Sequence, residues 1–383
     1  MDLKLQKIIP QLITVLVVVL VFGFFTYNAQ INMENRGIDF GYGFLSQESS
    51  FDVQFSLIEY DGSHSYFRAY LVGLLNTILV SVIGIIFATI LGVIVGVARL
   101  SPNYLINQFA AFYVEFFRNI PLLLQIFFWY FAALRALPLP QDADAMLGVF
   151  FLTIKGLYVP AFIWENLNVF LYSIIAAIIA IVVIRIHARK VQETQGKQLP
   201  VFWISVGLIF ILPLLSFLIG GVSLSFEIPK LKQLATTSFK YEGGLSLPPE
   251  LIALTLSLAL YTATFIAECV RAGIQGVGKG QKEAAASIGL NPNQVLKLVV
   301  MPQALRIIIP PTTNQYLNLT KNSSLAAAIA YPDLVLVFAG TALMQTGKAI
   351  EIVSITMLTY LSLSISISIL MNWYNKKIAI KEK

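Results

Sequence analysis

Charge, cysteine and histidine are all scarce in this sequence. Only 12% of its 383 residues are charged, whereas roughly 25% is usual in a soluble domain. Cys269 is the single cysteine, so no intrachain disulfide can form. The two histidines, His64 and His187, are far apart and make no zinc site without other ligands. Nothing in the residue pattern asks for a metal or another cofactor. What the chain has instead is long apolar runs: 57% of it is hydrophobic and the mean hydropathy is +0.77. No soluble core holds that much apolar surface, which excludes a cytoplasmic enzyme or a secreted domain. A disordered chain is excluded too, because disorder needs low hydrophobicity. The composition predicts an all-α polytopic membrane protein. Its net charge of +6 then reflects basic inner loops rather than a nucleic-acid partner.

A bilayer core of about 30 Å takes about 20 apolar helical residues per crossing. Such runs fall at 9–28, 70–98, 105–136, 168–184, 200–220, 249–270, 306–330 and 350–373, predicting about eight spans. The first follows Lys4 and Lys7 but is too long for a signal-peptide core, and no small-residue cleavage pattern follows it. The third is too long for one simple crossing. Its first half carries Gln108, Glu115 and Arg118 and is expected at the inner interface or in a tilted helix, with a bend or a new start near Pro121. With both termini placed inside, most of the 26 lysines and arginines lie in inner loops, as the positive-inside rule requires. The chain divides into an extra first helix with an acidic outer loop (1–68), a first core part (69–140), an insert with two spans (141–247) and a second core part (248–383).

The loop 271–305 is the most informative segment. Gln281 to Ser287 are good helix formers. Gly289 stands where a left-handed C-cap belongs. Asn291, Pro292 and Gln294 then fit an N-cap, an N1 proline and a capping box. Two short helices joined by a tight turn are predicted, the second ended by Pro302. Between two spans such a knob is a docking element; an ordinary amphipathic connection fits the same residues. The stretch Gly273 to Gly280 nearly matches a phosphate-binding loop, but Gly280 stands where Ser or Thr should hold magnesium, and a membrane helix rather than a strand precedes it. Its glycines are expected to give a flexible approach to the knob.

At this point the residues resemble a known family. Glu283-Ala284-Ala285, then Gly289 and Leu290, then Val299-Val300-Met301-Pro302 resemble the E-A-A-x3-G-x9-I-x-L-P motif of ABC importer permeases. Glu115-Phe116-Phe117-Arg118 with Pro121 and Gln125, Ala267-Glu268 with Arg271, and Leu317 to Leu325 around Lys321 are similar to three further motifs of the polar amino-acid permeases. The extra first helix, the phrase Tyr42-Gly43-Phe44-Leu45 and the insert are similar to the longer, eight-span subunits of general L-amino-acid transporters. The resemblance implies a type I permease core in the bacterial inner membrane, with no catalytic residue. It implies a paired ATPase subunit docked on the knob, a second permease subunit, a periplasmic amino-acid-binding protein and a polar or acidic L-amino acid as cargo. The outer loop 31–68 would face the binding protein or simply be solvated.

Lys321 lies deep in the seventh span. A buried ammonium is costly there, so it is expected to face the bundle or a wet cavity. Asn314, Asn318, Asn322, Ser323 and Ser324 are polar neighbours that fit a substrate path, or an interhelical hydrogen-bond cluster. Pro310 and Pro311 suggest a broken helix beside that cavity. Gln125, four residues from Trp129, fits either the path or packing. Glu115 with Arg118, and Glu268 with Arg271, are spaced as i,i+3 ion pairs near the inner edge, with direct substrate contact as the other reading. The alternative function is an ion-coupled secondary carrier, which would show intramembrane carboxylates and inverted repeats. The deep charge here is a lysine, and no repeat is visible.

Overall fold

The computed structural model describes residues 3–35, 40–219, 221–235 and 238–378. In chain order, α1 (Leu3–Asn35), α2 (Tyr66–Ala98), α3 (Tyr104–Asn119) and α4 (Leu122–Phe127) come first. Three short strands follow, β1 (Phe151–Thr153), β2 (Gly156–Val159) and β3 (Ala161–Glu165). The hairpin α5 (Leu167–Gln195) and α6 (Val201–Leu218) leads to β4 (Ser223–Glu227), β5 (Lys230–Ala235), β6 (Ser238–Glu242) and β7 (Leu245–Leu247). The last part holds α7 (Pro249–Gln275), α8 (Lys279–Ser287), α9 (Pro292–Gln294), α10 (Met301–Asn322), α11 (Leu343–Thr346) and α12 (Ala349–Ile378). Among the described residues, seven helices are long and apolar enough to cross a membrane, or eight if one bent pair is taken as a single span.

By packing, residues 1–127 and 254–383 form one unit and 128–253 another. In the first unit α2 is the central helix. Gly92 and Gly96 bring it against α7 so closely that an added Cβ would sit 2.7 Å from the Ile266 Cβ and 2.8 Å from the Val270 Cβ. Small residues four apart permit this approach between membrane helices, where packing replaces the hydrophobic drive. At the other end of α2, Asn76 donates to the carbonyls of Phe55 (2.8 Å) and Pro332 (2.9 Å), and Thr77 accepts from the Leu334 amide at 3.0 Å. The segment after α1 is part of this end: Phe44 is buried with Tyr66, Leu334, Phe338 and Ile352. So the outer-loop phrase around Phe44 is core, not merely solvated surface.

The bend expected near Pro121 is present. Segments Tyr104–Asn119 and Leu122–Ala136 meet at 101°. Two other proline expectations are corrected. The second knob helix does not stop at Pro302: α9 runs through the wide turns Val295–Val300 into α10. A wide turn just ahead of a proline takes up the missing amide and the ring. Nor does α10 break at Pro310 and Pro311, which lie inside it. The hydroxyls of Thr312 and Thr313 bond the Ile308 and Ile309 carbonyls one turn back, supplying local polar contacts where two amides are absent.

In the second unit the predicted hairpin of spans is present, and α5 continues past its span to Gln195, so the basic stretch after Arg185 is helical rather than a loop. The strands were not foreseen. They form an antiparallel sheet β1-β2-β7 and the ribbons β3-β4 and β5-β6.

Candidate functional site

α10 buries Ala304, Ile308, Thr312, Leu319 and Thr320 on one face. Its other face, spaced three or four residues apart, is Ile307, Pro310, Asn314, Asn318 and Lys321, all exposed. From Asn314 onward, then, amides and an ammonium are left outward, while Ile307 and Pro310 make the start of that face apolar. Lys321 therefore does not point into this chain's own bundle. Of the other residues expected with it, Asn322 is half-buried, and Ser323 and Ser324 turn their hydroxyls back to the carbonyls of Thr320 (2.7 Å) and Lys321 (2.8 Å).

Gln125 is used elsewhere. It is 4% exposed, and its Nε2 donates to the carbonyls of Phe117 (2.8 Å) and Ile120 (3.0 Å). These are carbonyls that the bend at Pro121 frees, so Gln125 braces the bend instead of facing the stripe. The pair Glu115/Arg118 is corrected as well. Among the described residues these two form no ion pair; the Arg118 guanidinium lies 5.1 Å from the centre of the Phe265 ring on α7. The i,i+3 spacing permits a pair on an exposed face but holds it weakly, and an aromatic face competes. Glu268 and Arg271 do pair, at 3.0 Å, and Arg99 closes on the same carboxylate. Arg99 was missed because its partner is distant in sequence; only the Gly92/Gly96 stripe hinted that α2 and α7 meet.

The first helix, turn and capping box of the knob form as the sequence predicts. Gly289 is left-handed at φ +84°. Its amide bonds the Ala286 carbonyl at 3.0 Å, and the Leu290 amide bonds Ala285 at 3.3 Å, completing a Schellman turn. Asn291 and Gln294 exchange both capping-box bonds at 3.0 Å. Glu283, Ala284 and Gly289 are exposed, Leu290 and Pro302 are half-buried, and Ala285 is buried against the second helix. Ile288 is 78% exposed, and a cleft of about 430 Å³ opens between Lys282, Ala286, Leu290 and Leu296. Gly273 is not part of a flexible approach: a Cβ there would lie 2.3 Å from Ile308, so that glycine lets α10 close on α7, whereas a Cβ on Gly278 or Gly280 would meet nothing within 4 Å.

Residues 196–380 match the family described as the binding-protein-dependent transport system inner membrane component. The chain is 48% identical over 376 residues to the putative amino-acid ABC transporter permease protein YhdX of Escherichia coli (strain K12), covering 97% of this chain and 94% of that protein. The chain belongs to the amino-acid ABC importer permeases. The permease is also 45% identical to the general L-amino acid transport system permease protein AapQ of Rhizobium johnstonii, over 100% of this chain and 94% of that one. It is 39% identical to the glutamate/glutamine/aspartate/asparagine transport system permease protein BztB of Rhodobacter capsulatus, over 100% and 96%. This permease is thus an inner-membrane transport subunit, and the ion-coupled carrier is set aside. Permeases of this family work with an ATPase, a binding protein and a further permease subunit.

Proposed function

We propose that this permease passes polar or acidic L-amino acids along the exposed face of α10, with Lys321 meeting a substrate carboxylate and Asn314 and Asn318 its remaining polar groups. The observation that carries this is the outward polar stripe on a membrane-spanning helix. Amides and an ammonium facing lipid are costly, so the stripe calls for a wet path shared with a second permease. An ammonium on that path makes a charge-assisted bond to a carboxylate. The substrates in the name of the Rhodobacter relative agree with that chemistry.

The other assignments follow from this one. The permease lies with both termini in the cytoplasm, and the knob 271–305 seats on a dimeric ATPase through Glu283, Ala284, Gly289 and Leu290, with the buried Ala285 packing the two knob helices together. A periplasmic binding protein delivers the amino acid outside. ATP-driven closure of the ATPase then switches the path from outward- to inward-facing. The test is uptake of labelled glutamate by proteoliposomes of the complete importer. Lys321→Gln is expected to lose most uptake while binding-protein-stimulated ATP hydrolysis persists, and Lys321→Arg to keep part of it. Wild-type uptake by Lys321→Gln would overturn the reading.

A further inference from the structure

The ribbon β3-β4 has two chemically different faces. Cross-strand partners share a face, and successive residues alternate. Phe162 pairs with Phe226 and Trp164 with Leu224, so one face is wholly apolar. Ala161 with Glu227, Ile163 with Ser225 and Glu165 with Ser223 make up the other. Both carboxylates are engaged on that second face: Glu165 accepts from the Ser223 hydroxyl at 2.7 Å and Glu227 from the Gly244 amide at 3.2 Å. Apart from Trp164, which is half-buried, this apolar face is uncovered among the described residues. Phe162 is 61% exposed, Phe226 53% and Leu224 44%.

That face is continuous with the membrane hairpin. The Trp164 ring lies 4.9 Å from Phe170 of α5 and 6.0 Å from Phe217 of α6. The residues flanking the junction, Leu167, Leu218 and Ile219, are apolar and exposed. The junction is held rather than loose. Asn166 and Gly221 are both left-handed, and the Asn166 amide donates to the Gly221 carbonyl at 2.9 Å. A strand of five residues reaches only about 17 Å, so the whole ribbon stays near the end of two spans. Only 6% of the apolar window of each helix is buried, so the hairpin itself is presented to lipid. Aromatic residues concentrate at the boundary where such spans leave the hydrocarbon.

We infer that the β3-β4 ribbon is a membrane-interface anchor, its Phe162, Trp164, Leu224 and Phe226 face set into the headgroup–acyl boundary beside α5 and α6. The occupant is bilayer lipid, because the exposed apolar surface runs unbroken from the lipid-facing hairpin into the ribbon. The carboxylates on the opposite face fix which side turns to water. This arrangement holds the insert against the bilayer through a sheet surface instead of a third helix.

The test uses nitroxide labels on the complete importer in vesicles of phosphatidylethanolamine and phosphatidylglycerol. Single cysteines are placed at Phe226→Cys and Ser225→Cys in a Cys269→Ser background, with Leu224→Cys as a second probe of the apolar face. Labels at 226 and 224 are expected to collide several-fold more with dissolved oxygen than with a water-soluble nickel chelate, and the label at 225 the reverse. Equal access to the chelate on both faces would place the ribbon in water and overturn the inference. Low access to both reagents at 226 and 224 would mean a protein covers that face, which also overturns it.

Discussion

Arg99 and Glu268 join the ends of α2 and α7 through a half-buried ion pair, and Arg271 holds the same carboxylate from one turn further on. One carboxylate thus neutralises two guanidiniums. Glu268→Gln leaves both arginines facing each other with little water to screen them, at a cost of about 1–3 kcal/mol. Arg271→Gln costs less, since Arg99 still holds the carboxylate. Thermal unfolding midpoints of the detergent-solubilised chain are expected to fall in that order, with Glu268→Gln lowest. Equal midpoints for the two variants would refute the shared-carboxylate account.

The knob allows docking to be separated from folding. A Cβ at Gly289 meets nothing within 4 Å, so the cost of Gly289→Asp is the left-handed backbone alone, about 1–2 kcal/mol. The chain is expected to accumulate at the wild-type level while uptake collapses, and Gly289→Ala to retain more uptake than Gly289→Asp. Immunoblots beside uptake assays decide it. Full uptake in Gly289→Asp at equal chain level would end the docking assignment.

Close approach of α2 and α7 is expected to tolerate no side chain. Gly92→Val drives a methyl group into Ile266, an overpacking of about 1–3 kcal/mol. Less folded protein should reach the membrane. Gly23→Val in α1, where an added Cβ meets nothing, serves as the control and should leave the yield unchanged. Size-exclusion profiles of the two variants read this directly.

Much of this was legible in the residues, because the deciding interactions were local. The places of the spans followed from run length, the turn of the knob from Gly289 and the Asn291–Gln294 box, and the bend from Pro121, but α5 and the seventh span run well past the expected edges. What the residues hid depended on partners far along the chain. Gln125 looked like a path residue until the bend brought freed carbonyls to it. Arg118 sits within reach of Glu115 in sequence, yet Phe265 arrives from another span. Pro302 and Pro310 carry a strong helix-ending preference that wide turns and packing overrode. The strands of the insert are too short, at three to six residues, for alternation to stand out from an apolar background.

Asp333 gives a pH prediction. It lies between two spans, just ahead of the short helical stretch 334–346, wholly buried beside Tyr331 and Tyr360. Its Oδ1 accepts from the Leu336 amide at 2.9 Å, and the Tyr360 hydroxyl faces the carboxylate. Burial pushes the carboxyl up from 3.8 to about 7. Between those values the folded chain holds a proton the unfolded chain has lost, so stability falls as pH rises across that window. Asp333→Asn removes the slope. Its unfolding midpoint is expected above wild type near about pH 8, with the gap closing toward about pH 4. A gap that does not change with pH would contradict the assignment.

The uninterrupted course from Pro292 to Ile329 makes one rod of the second knob helix and the polar stripe. At 1.5 Å per residue, Lys321 stands about 45 Å from Pro292 along that rod. A rod transmits tilt with leverage. A few degrees of rocking at the knob, pivoting where α10 crosses α7 near Gly273, sweeps Lys321 sideways by ångströms without any local unfolding.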